Sequence, residues 1–356
     1  MRVLQVISEM GSGGAEALVV EMVRRSGDVG WESAVASAGG HRADLVRDEG
    51  VPTFEVPAVR RSVGGLVRAT IATRTAIRRF RPDVVVAHNI SATLVTRLAM
   101  TVAGRRPLVT VFHGVAERDY GSAARVLRHT SDQVVAVASV TANRLRDAGV
   151  STPDITVIRN GVSPVAPRER GPIRDALGVP QDVPVALCLA RLEPQKRHDV
   201  LLEAWARIED DAILLIAGDG SLRGQLEQRA TAFGLGDRVR FLGDRSDVPD
   251  LLAATDITVL TSDWEGMPIA ILESLAAHRP VVATDVDGVR EILGRGGGTL
   301  VPRRAPIAVA HALRGLLFDP AARQAAAESG SATIRADHDP HTLMKSYDEL
   351  LRGGRR

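Results

Sequence analysis

Short runs of β-branched and other apolar residues alternate with segments of helical periodicity along the whole 356-residue chain. Repeated strand-then-helix units predict parallel sheets with helices on both faces. The predicted strands of the first half are Val3–Ile7, Ser33–Ser37, Thr53–Val56, Val84–His88, Leu108–Phe112, Val134–Ala138 and Ile155–Ile158. Those of the second half are Val185–Ala190, Ile213–Ala217, Val239–Leu242, Ile257–Thr261, Val281–Thr284 and Thr299–Val301.

A proline-rich break divides this pattern into two doubly wound, Rossmann-like α/β domains. Three prolines with charged and glycine neighbours fall within residues 163–172, which is typical of a linker. We predict a first domain over residues 1–163, a linker over 164–172, a second domain over 173–335 and a C-terminal helix over 336–356 that packs back toward the first domain. Open α/β sheets bind ligands beyond the carboxyl ends of their strands. The chemistry is therefore expected in a cleft between two facing domains.

Composition excludes several classes of protein. Mean hydropathy is +0.02 and no apolar run reaches the ~18 residues that span a bilayer. Because the N-terminus also lacks a secretory signal pattern, we expect a cytoplasmic protein, with peripheral contact to the inner face of the membrane left open. The single cysteine, Cys188, rules out a disulfide framework and a cysteine-based zinc site. Aromatic residues are only 3%, so nucleic-acid binding by stacking is disfavoured.

A glycine-rich turn, Gly11–Glu16, follows the first predicted strand. Gly13 and Gly14 allow backbone amides to approach an anion, with a helix N-terminus behind them. A nicotinamide site is disfavoured, because Glu16 stands where the dinucleotide fingerprint requires its last glycine. The alternative is a tight turn that binds nothing.

Two histidines lie at carboxyl ends of strands, where side chains can face a ligand. His113 follows the strand that ends at Phe112, and His88 ends the preceding strand. Either could hydrogen-bond a substrate hydroxyl in the expected cleft. The alternative is that each is a structural histidine.

A basic loop follows the first strand of the second half. It contains Arg191 and Lys196, and Lys196 is one of only two lysines among 45 cationic residues. A planar guanidinium and a compact ammonium together suit two linked phosphates. The alternative is a solvated loop.

The element with the strongest functional signal is Ser262–Ala277, which follows the strand Ile257–Thr261. Pro268 suits the first turn of a helix, so Glu265 precedes the positive end of that helix and Glu273 lies on it. Two carboxylates eight residues apart can bind different hydroxyl pairs of one extended ligand. Free amides in the segment Gly266-Met267-Pro268-Ile269 can meet a phosphate or developing negative charge. The alternative is a capped surface helix.

Asp285 and Asp287 superficially resemble a metal-binding pair. No histidine or third carboxylate clusters with them in the sequence, so we expect no metal site and no cofactor. Serine-nucleophile and P-loop patterns are absent from the sequence.

Together these motifs resemble the retaining glycosyltransferases of the sucrose-synthase/mannosyltransferase-like family, which have the GT-B fold. The resemblance covers nearly the whole chain. It rests on the order and spacing of Gly11–Glu16, His113-Gly114, Ile158–Val162, Arg191 with Lys196, Phe241–Gly243, Glu265 with Glu273, and Asp287–Glu291. One departure is Arg197, which follows Lys196 where the family often has glycine, and which could crowd or supplement a phosphate site.

The resemblance implies a role for each matching position. Arg191 and Lys196 hold the diphosphate of a sugar nucleotide, and Glu273 holds its ribose. The donor sugar contacts Glu265, the amides of Gly266, Met267 and Ile269 beside Pro268, and His113. The remaining substrate-binding positions are Gly13 and Gly14 near the phosphates and acceptor, Asn160 of the Ile158–Val162 motif, and Arg245 to Val248 near the base. The catalytic group then comprises Glu265, His113, Arg191 and Lys196.

The activity implied is metal-independent transfer of a hexose or N-acetylhexosamine, with retention, from a nucleotide sugar, UDP favoured, to a small-molecule, glycan or lipid-linked acceptor. A sugar-nucleotide 2-epimerase and a catalytically idle binding protein remain alternatives. Seven arginines and no acid fall between Arg60 and Arg81. This stretch predicts either an amphipathic helix on an anionic membrane or a helix whose apolar face packs on the sheet.

Overall fold

The structure is a computed structural model that describes residues 1–59 and 62–353, so Arg60 and Arg61 of the basic stretch lie outside the described residues. It divides into two compact units. The first unit is Met1–Gly161 together with the segment from Pro340 onward, and the second is Val162–Asp339.

The first unit is built on a seven-stranded parallel sheet. Its strands are β1 (Arg2–Val6), β2 (Glu32–Ser37), β3 (Thr53–Glu55), β4 (Val84–Ala87), β5 (Leu108–Phe112), β6 (Gln133–Ala136) and β7 (Ile155–Val157). Its helices are α1 (Gly14–Arg24), α2 (His41–Asp48), α3 (Val63–Phe80), α4 (Ile90–Ala103), α5 (Tyr120–Thr130), α6 (Ser139–Asp147) and the terminal α15 (Pro340–Gly353). The strand order is β3-β2-β1-β4-β5-β6-β7.

The second unit repeats this plan with six strands. They are β8 (Val185–Leu189), β9 (Ile213–Ala217), β10 (Val239–Gly243), β11 (Ile257–Leu260), β12 (Val281–Thr284) and β13 (Gly298–Val301). The helices are α7 (Arg170–Ala176), α8 (His198–Trp205), α9 (Arg223–Ala232), α10 (Val248–Ala254), α11 (Ile269–Ala276), α12 (Asp287–Leu293), α13 (Pro306–Leu317) and α14 (Pro320–Asp337). The strand order is β10-β9-β8-β11-β12-β13.

These two sheets confirm the predicted pair of Rossmann-like α/β folds. Central strands such as β8 and β9 are nearly continuous runs of buried apolar residues, as expected where helices cover both faces of a sheet. In each unit the strand order reverses at one point, between β1 and β4 in the first and between β8 and β11 in the second. The loops that follow these strands meet at that crevice, which is where open α/β sheets bind ligands.

The unit boundaries differ from the predicted ones. The division falls after Gly161, and α7 begins at Arg170, inside the predicted linker. Arg170 and Arg174 both pair with Asp256 before β11, at 2.8 and 3.0 Å, and Arg174 is fully buried. These buried bonds hold the end of the predicted linker on the second unit as a helix, and Pro172 fits there because it lies in the first turn.

The C-terminal helix also begins later than predicted. Helix α14 continues to Asp337, and α15 starts at Pro340 rather than at residue 336. Helix α15 belongs to the first unit, where Trp31 Nε1 donates to Asp348 Oδ1 at 2.7 Å and Tyr347 is fully buried. None of the described helices combines the length and apolar character that crossing a bilayer requires.

Candidate active site

The loop after β8 folds into a single 3-10 turn, Pro194–Lys196, that leads into α8. Arg197 links the turn to the helix with a φ of 51°, in the left-handed region. This backbone reversal directs the Lys196 ammonium toward the loop that follows the neighbouring strand β11. The pairing of β8 with β11 therefore sets which two loops meet.

Lys196 and Glu265 form an ion pair at the centre of this crevice. The distance from Lys196 Nζ to Glu265 Oε1 is 2.5 Å, and the two side chains are only 15% and 7% exposed. Ser262 Oγ donates to the same carboxylate oxygen at 2.6 Å. Because an ammonium has three donors, Lys196 retains N–H groups that a bound anion can accept from.

Further hydrogen bonds lock the two loops together. Thr261 Oγ1 donates to the carbonyls of Lys196 and Arg197, both at 3.0 Å. Gln195 receives a bond from the Asp263 amide at 2.9 Å and donates through its side chain to the Trp264 carbonyl at 2.7 Å. The ion pair is thus held on both sides by rigid backbone, which pre-organises it.

Arg197 neither crowds nor supplements the ammonium of Lys196. Its guanidinium makes two bonds to Asp199, at 2.9 and 2.7 Å, and one to Asp263 at 3.3 Å. The bonds to Asp199 raise the pKa of Arg197 above its ordinary value. Asp263 is held further by two bonds from Arg304, which lower the pKa of its carboxyl. Because Asp199 and Asp263 bind its guanidinium, Arg197 is held away from the Lys196 ammonium.

The segment from Gly266 to Ile269 is buried and runs directly into α11. Pro268 is the N-cap with a φ of −71°, so it precedes the first helical turn instead of lying within it as predicted. Glu273 lies on α11 and is half-buried. Packing fixes the segment closely, because a Cβ at Gly288 of α12 would lie 1.4 Å from the Gly266 carbonyl oxygen.

Two similar close approaches shape the other side of the loop after β8. A Cβ at Gly218 would lie 2.1 Å from the Ala190 carbonyl oxygen, and one at Gly220 would lie 2.6 Å from that of Leu192. Only glycine allows the turn after β9 to approach the loop this closely. The sequence alone does not reveal what these glycines contact.

The other predicted cations of this unit differ in their availability. The Arg191 guanidinium is exposed and makes no hydrogen bond or ion pair with a described residue, whereas the Arg191 carbonyl accepts a bond from the Glu193 amide at 2.8 Å. Arg245 is already paired with Asp247, with bonds of 2.7 and 2.5 Å that raise its pKa. Val248 is the first residue of α10 and is half-buried. Of the two arginines, Arg191 is therefore the one whose guanidinium is open to an incoming ligand.

Of the predicted positions in the first unit, Gly13 and Gly14 follow β1 at the crevice of that unit. Gly13 is the N-cap of α1 and Gly14 is its first residue. The carboxylate of Glu16 folds back so that a Cβ at Gly13 would lie 2.1 Å from Glu16 Oε2. The helix N-terminus thus has a carboxylate of the same chain against it, which the sequence pattern did not predict.

The histidines of the first unit are stacked on each other. The rings of His88 and His113 are 6.0 Å apart with an interplanar angle of 26°. His88 is fully buried and its Nε2 contacts Gln5 Oε1 at 2.7 Å, which is the structural alternative of the two. His113 is half-buried and its Nε2 has no hydrogen-bond partner among the described residues. Asn160, the last predicted position in this unit, is 1% exposed.

Three desolvated histidines predict an acid-sensitive fold. Desolvation lowers the pKa values of His113 and His198 to about 4 and that of His88 well below its ordinary value. A depressed histidine pKa means that the unfolded chain binds protons first as pH falls, so we expect stability to be lost between about pH 6.5 and pH 4. Denaturant unfolding across this range measures it. His198→Leu should make the free energy of unfolding depend less on pH, whereas His129→Gln, at an exposed position, should leave that dependence unchanged. An equal pH dependence in both variants would contradict the prediction.

Metal-ligating side chains are not grouped in the described part of the chain. Within residues 1–59 and 62–353, no three histidine, cysteine, aspartate or glutamate side chains are arranged to hold an ion. Asp285 instead accepts two bonds from Arg290, both at 2.6 Å, and Asp287 opens α12.

Comparison with known proteins identifies the class that has this fold and site. The model of the family described as "Glycosyl transferases group 1" matches residues 169–333, and that of "Glycosyltransferase Family 4" matches residues 12–165. The chain is 29% identical over 344 residues to a lipopolysaccharide core biosynthesis glycosyltransferase, LpsE, of Rhizobium meliloti (strain 1021), covering 95% of this chain and 96% of that protein.

Two further similar proteins are named together with a sugar nucleotide. A UDP-Gal:alpha-D-GlcNAc-diphosphoundecaprenol alpha-1,3-galactosyltransferase of Escherichia coli is 28% identical over 263 residues, covering 68% of each chain. The crystal structure of Anabaena Alr3699/HepE in complex with UDP-glucose has a TM-score of 0.88 at 24% identity, covering 99% of this chain and 100% of that one. The protein is a glycosyltransferase enzyme with the GT-B fold. It belongs to the group 1 glycosyltransferases.

Proposed function

We propose that this enzyme transfers a hexose or N-acetylhexosamine from a UDP-sugar to an acceptor hydroxyl, with retention of configuration and without a metal ion. The observation that carries the proposal is the buried Lys196–Glu265 pair at the point where the strand order of the second unit reverses. This crevice is where such sheets bind nucleotides. The UDP-sugars in the descriptions of the galactosyltransferase and of the Anabaena structure support the choice of base.

The charge arrangement suits a diphosphate leaving group. Lys196 and the exposed Arg191 supply two cationic groups on one loop, and Glu265 fixes the ammonium in place. The N-terminus of α11 adds partial positive charge beside the Gly266–Ile269 segment. Together these groups can neutralise charge that develops on a phosphate oxygen, which is the function a metal ion would otherwise serve.

The proposed reaction is a displacement on one face of the donor sugar. The bond from the anomeric carbon to the β-phosphate oxygen breaks, and the acceptor oxygen bonds to the same face of that carbon. The acceptor proton passes to the departing phosphate oxygen. Glu265 then orients the sugar and stabilises its developing positive charge, and no covalent intermediate on the protein is required. Glu273 holds the ribose, and His113 contacts the donor sugar.

We further propose that the acceptor is a lipid-linked sugar. The Escherichia coli relative is named as a galactosyltransferase of alpha-D-GlcNAc-diphosphoundecaprenol, which is a lipid-linked sugar. In the first unit, a small apolar pocket of about 20 Å³ opens beside the carboxyl end of β1 and the N-terminus of α4. Its lining is apolar apart from two serines and includes Val6, Ile7, Val56, Ala69 and Val95. A pocket of this size has room for about one water molecule, so the support for a lipid-linked acceptor comes from the Escherichia coli relative.

A panel of nucleotide sugars tests this function. UDP-glucose, UDP-galactose, UDP-N-acetylglucosamine and GDP-mannose are compared by thermal unfolding, since a ligand at 100 times its Kd adds about 2.7 kcal/mol of stability. We expect a UDP-sugar to raise the unfolding temperature of the protein most. Release of UDP from this donor should require an added acceptor. Conversion of the donor without any acceptor would instead show an epimerase, and binding without turnover would show an idle binding protein.

Transfer activity is expected to survive excess chelator. Arg191, Lys196 and the N-terminus of α11 occupy the place of a metal ion in the proposed chemistry. Initial rates are measured with and without EDTA after desalting, and should agree within about twofold. Loss of activity that Mg²⁺ or Mn²⁺ restores would contradict metal independence and direct attention to Asp285 and Asp287.

A further inference from the structure

Helix α3 exposes a row of apolar side chains in addition to its buried face. Val63, Val67 and Ile71 are 81%, 51% and 56% exposed and follow one another at intervals of four residues, so they lie along one line of the helix. The packed-helix alternative holds for other parts of the same stretch, since Ile77 is buried and Leu66 packs on the core. The helix therefore has two apolar faces, one inward and one outward.

Helix α4 presents a second row of the same kind. Leu94, Leu98 and Val102 are 37%, 37% and 58% exposed, again at intervals of four residues. The inner faces of α3 and α4 pack together into one core cluster with β1, β2 and β4. Because the helices lie side by side on one face of the sheet, both outer rows point away from it. Six of the ten exposed large apolar residues of the described chain lie in these two rows.

The charged side chains on α3, α4 and α5 are all basic. Helices α3, α4 and the adjacent α5 contain no aspartate or glutamate, whereas Arg68, Arg78 and Arg79 on α3 and Arg125 and Arg128 on α5 are exposed. Acids in the adjoining loops have cationic or backbone partners: Asp83 accepts a bond from the Arg2 amide, and Asp132 is paired with Arg97 and Arg105. Before α5, Glu117 lies 3.9 Å from Arg144, and Asp119 lies 3.8 Å from Arg118. Exposed cations thus flank the apolar rows without competing acids on these helices.

We propose that the outer faces of α3, α4 and α5, here called the docking face, bind the surface of an anionic lipid bilayer. Apolar side chains enter the boundary between head groups and acyl chains while arginines contact the anionic head groups. An acidic protein partner would account for the arginines but would need a complementary apolar surface. A second copy of this chain would place like charges against each other. The bilayer supplies both the apolar layer and the negative charge.

Co-sedimentation with vesicles tests the proposal. The full-length protein is mixed at low and moderate salt with vesicles of phosphatidylcholine alone or with added phosphatidylglycerol. We expect binding only to the anionic vesicles, weakening as salt rises. Val67→Glu with Ile71→Glu should lower the partition coefficient onto anionic vesicles at least about tenfold. Arg78→Gln with Arg79→Gln should lower it by a similar factor, since each cation near an anionic surface contributes about fivefold.

Matched variants on the second unit separate a local effect from a general one. Ile307→Glu changes an apolar side chain that is 71% exposed, and Arg207→Gln with Arg314→Gln removes two exposed arginines. Neither should change vesicle binding. Absence of binding to anionic vesicles at low salt, or equal losses in test and matched variants, would overturn the proposal. So would a concentration-dependent dimer that the Val67 and Ile71 changes dissociate, which would assign the face to a second copy. Nucleotide-sugar protection, measured in parallel, keeps this test separate from the proposed transfer reaction.

Discussion

Glu265→Gln is expected to lower kcat about 10²–10³-fold while leaving the fold intact. The amide keeps the size of the side chain and can still accept a bond from Ser262, but it removes the negative charge that positions Lys196 and stabilises the reacting sugar. Losing one pre-organised electrostatic contact in a dry site has an effect of this size. The measurement is the initial rate of nucleoside diphosphate release at saturating donor and acceptor, with thermal unfolding as the test of folding.

Lys196→Ala is expected to reduce the rate to a similar degree and also to lower the unfolding temperature. Its removal leaves the buried Glu265 carboxylate with Ser262 as its one remaining side-chain hydrogen-bond partner in the described structure. Adding Glu265→Gln to this variant should recover stability but not activity. The matched controls are Lys345→Ala, which removes the other lysine from an exposed position on α15, and Glu328→Gln on α14. Near-normal rates in both site variants would contradict the assignment.

Gly288→Ala is expected to impair both folding and transfer, although Gly288 projects no side chain into the site. A methyl group there would overlap the Gly266 carbonyl oxygen, so the Gly266–Ile269 segment or α12 must move. Overpacking of this kind costs about 1–3 kcal/mol of stability. A shift of roughly 1 Å in a substrate-binding segment can reduce kcat about 10²-fold.

The control for this variant is another helical glycine. Gly315 of α13 has open space where a Cβ would lie, so Gly315→Ala should be neutral or stabilise the protein by up to about 1 kcal/mol. Chemical denaturation and initial rates are measured on both variants. If Gly288→Ala behaves like Gly315→Ala, the segment after β11 is not held by this contact.

The alternation of short apolar strands with helical segments in the sequence predicts the architecture. Buried strands such as Leu108–Phe112 and Ile213–Ala217 are short, apolar and rich in β-branched residues, so their bounds match the predicted ones. Boundaries set by tertiary contacts were less predictable. The segment after Pro167 has the composition of a linker, yet Arg170 and Arg174 fold it into a helix by pairing with Asp256, more than 80 residues further along the chain.

The same limit applies to the site. Residue type and position at strand ends were enough to select Lys196 and Glu265, but their mutual contact depends on which strands are neighbours. Arg197 and Arg245 each pair with an aspartate two residues later. Only such partners, which are close in the sequence, could be predicted from it. For His88 both alternatives stayed open, because strand-end position does not distinguish a side chain that faces a ligand from one packed against Gln5.

The most direct test of the nucleotide-sugar site compares a nucleoside diphosphate with its nucleoside. Calorimetric titration gives Kd for UDP and for uridine in the wild type, in Lys196→Ala and in Lys196→Ala with Glu265→Gln. If the sugar of another nucleotide protects the protein best against unfolding, that nucleoside diphosphate and its nucleoside take the place of UDP and uridine. We expect loss of the ammonium to weaken UDP at least about 30-fold while changing uridine less than about threefold. The double variant should show the same selective loss, which excludes repulsion by an unpaired Glu265 as its cause. An unchanged ratio of the two Kd values would contradict the assignment of Lys196 to the diphosphate.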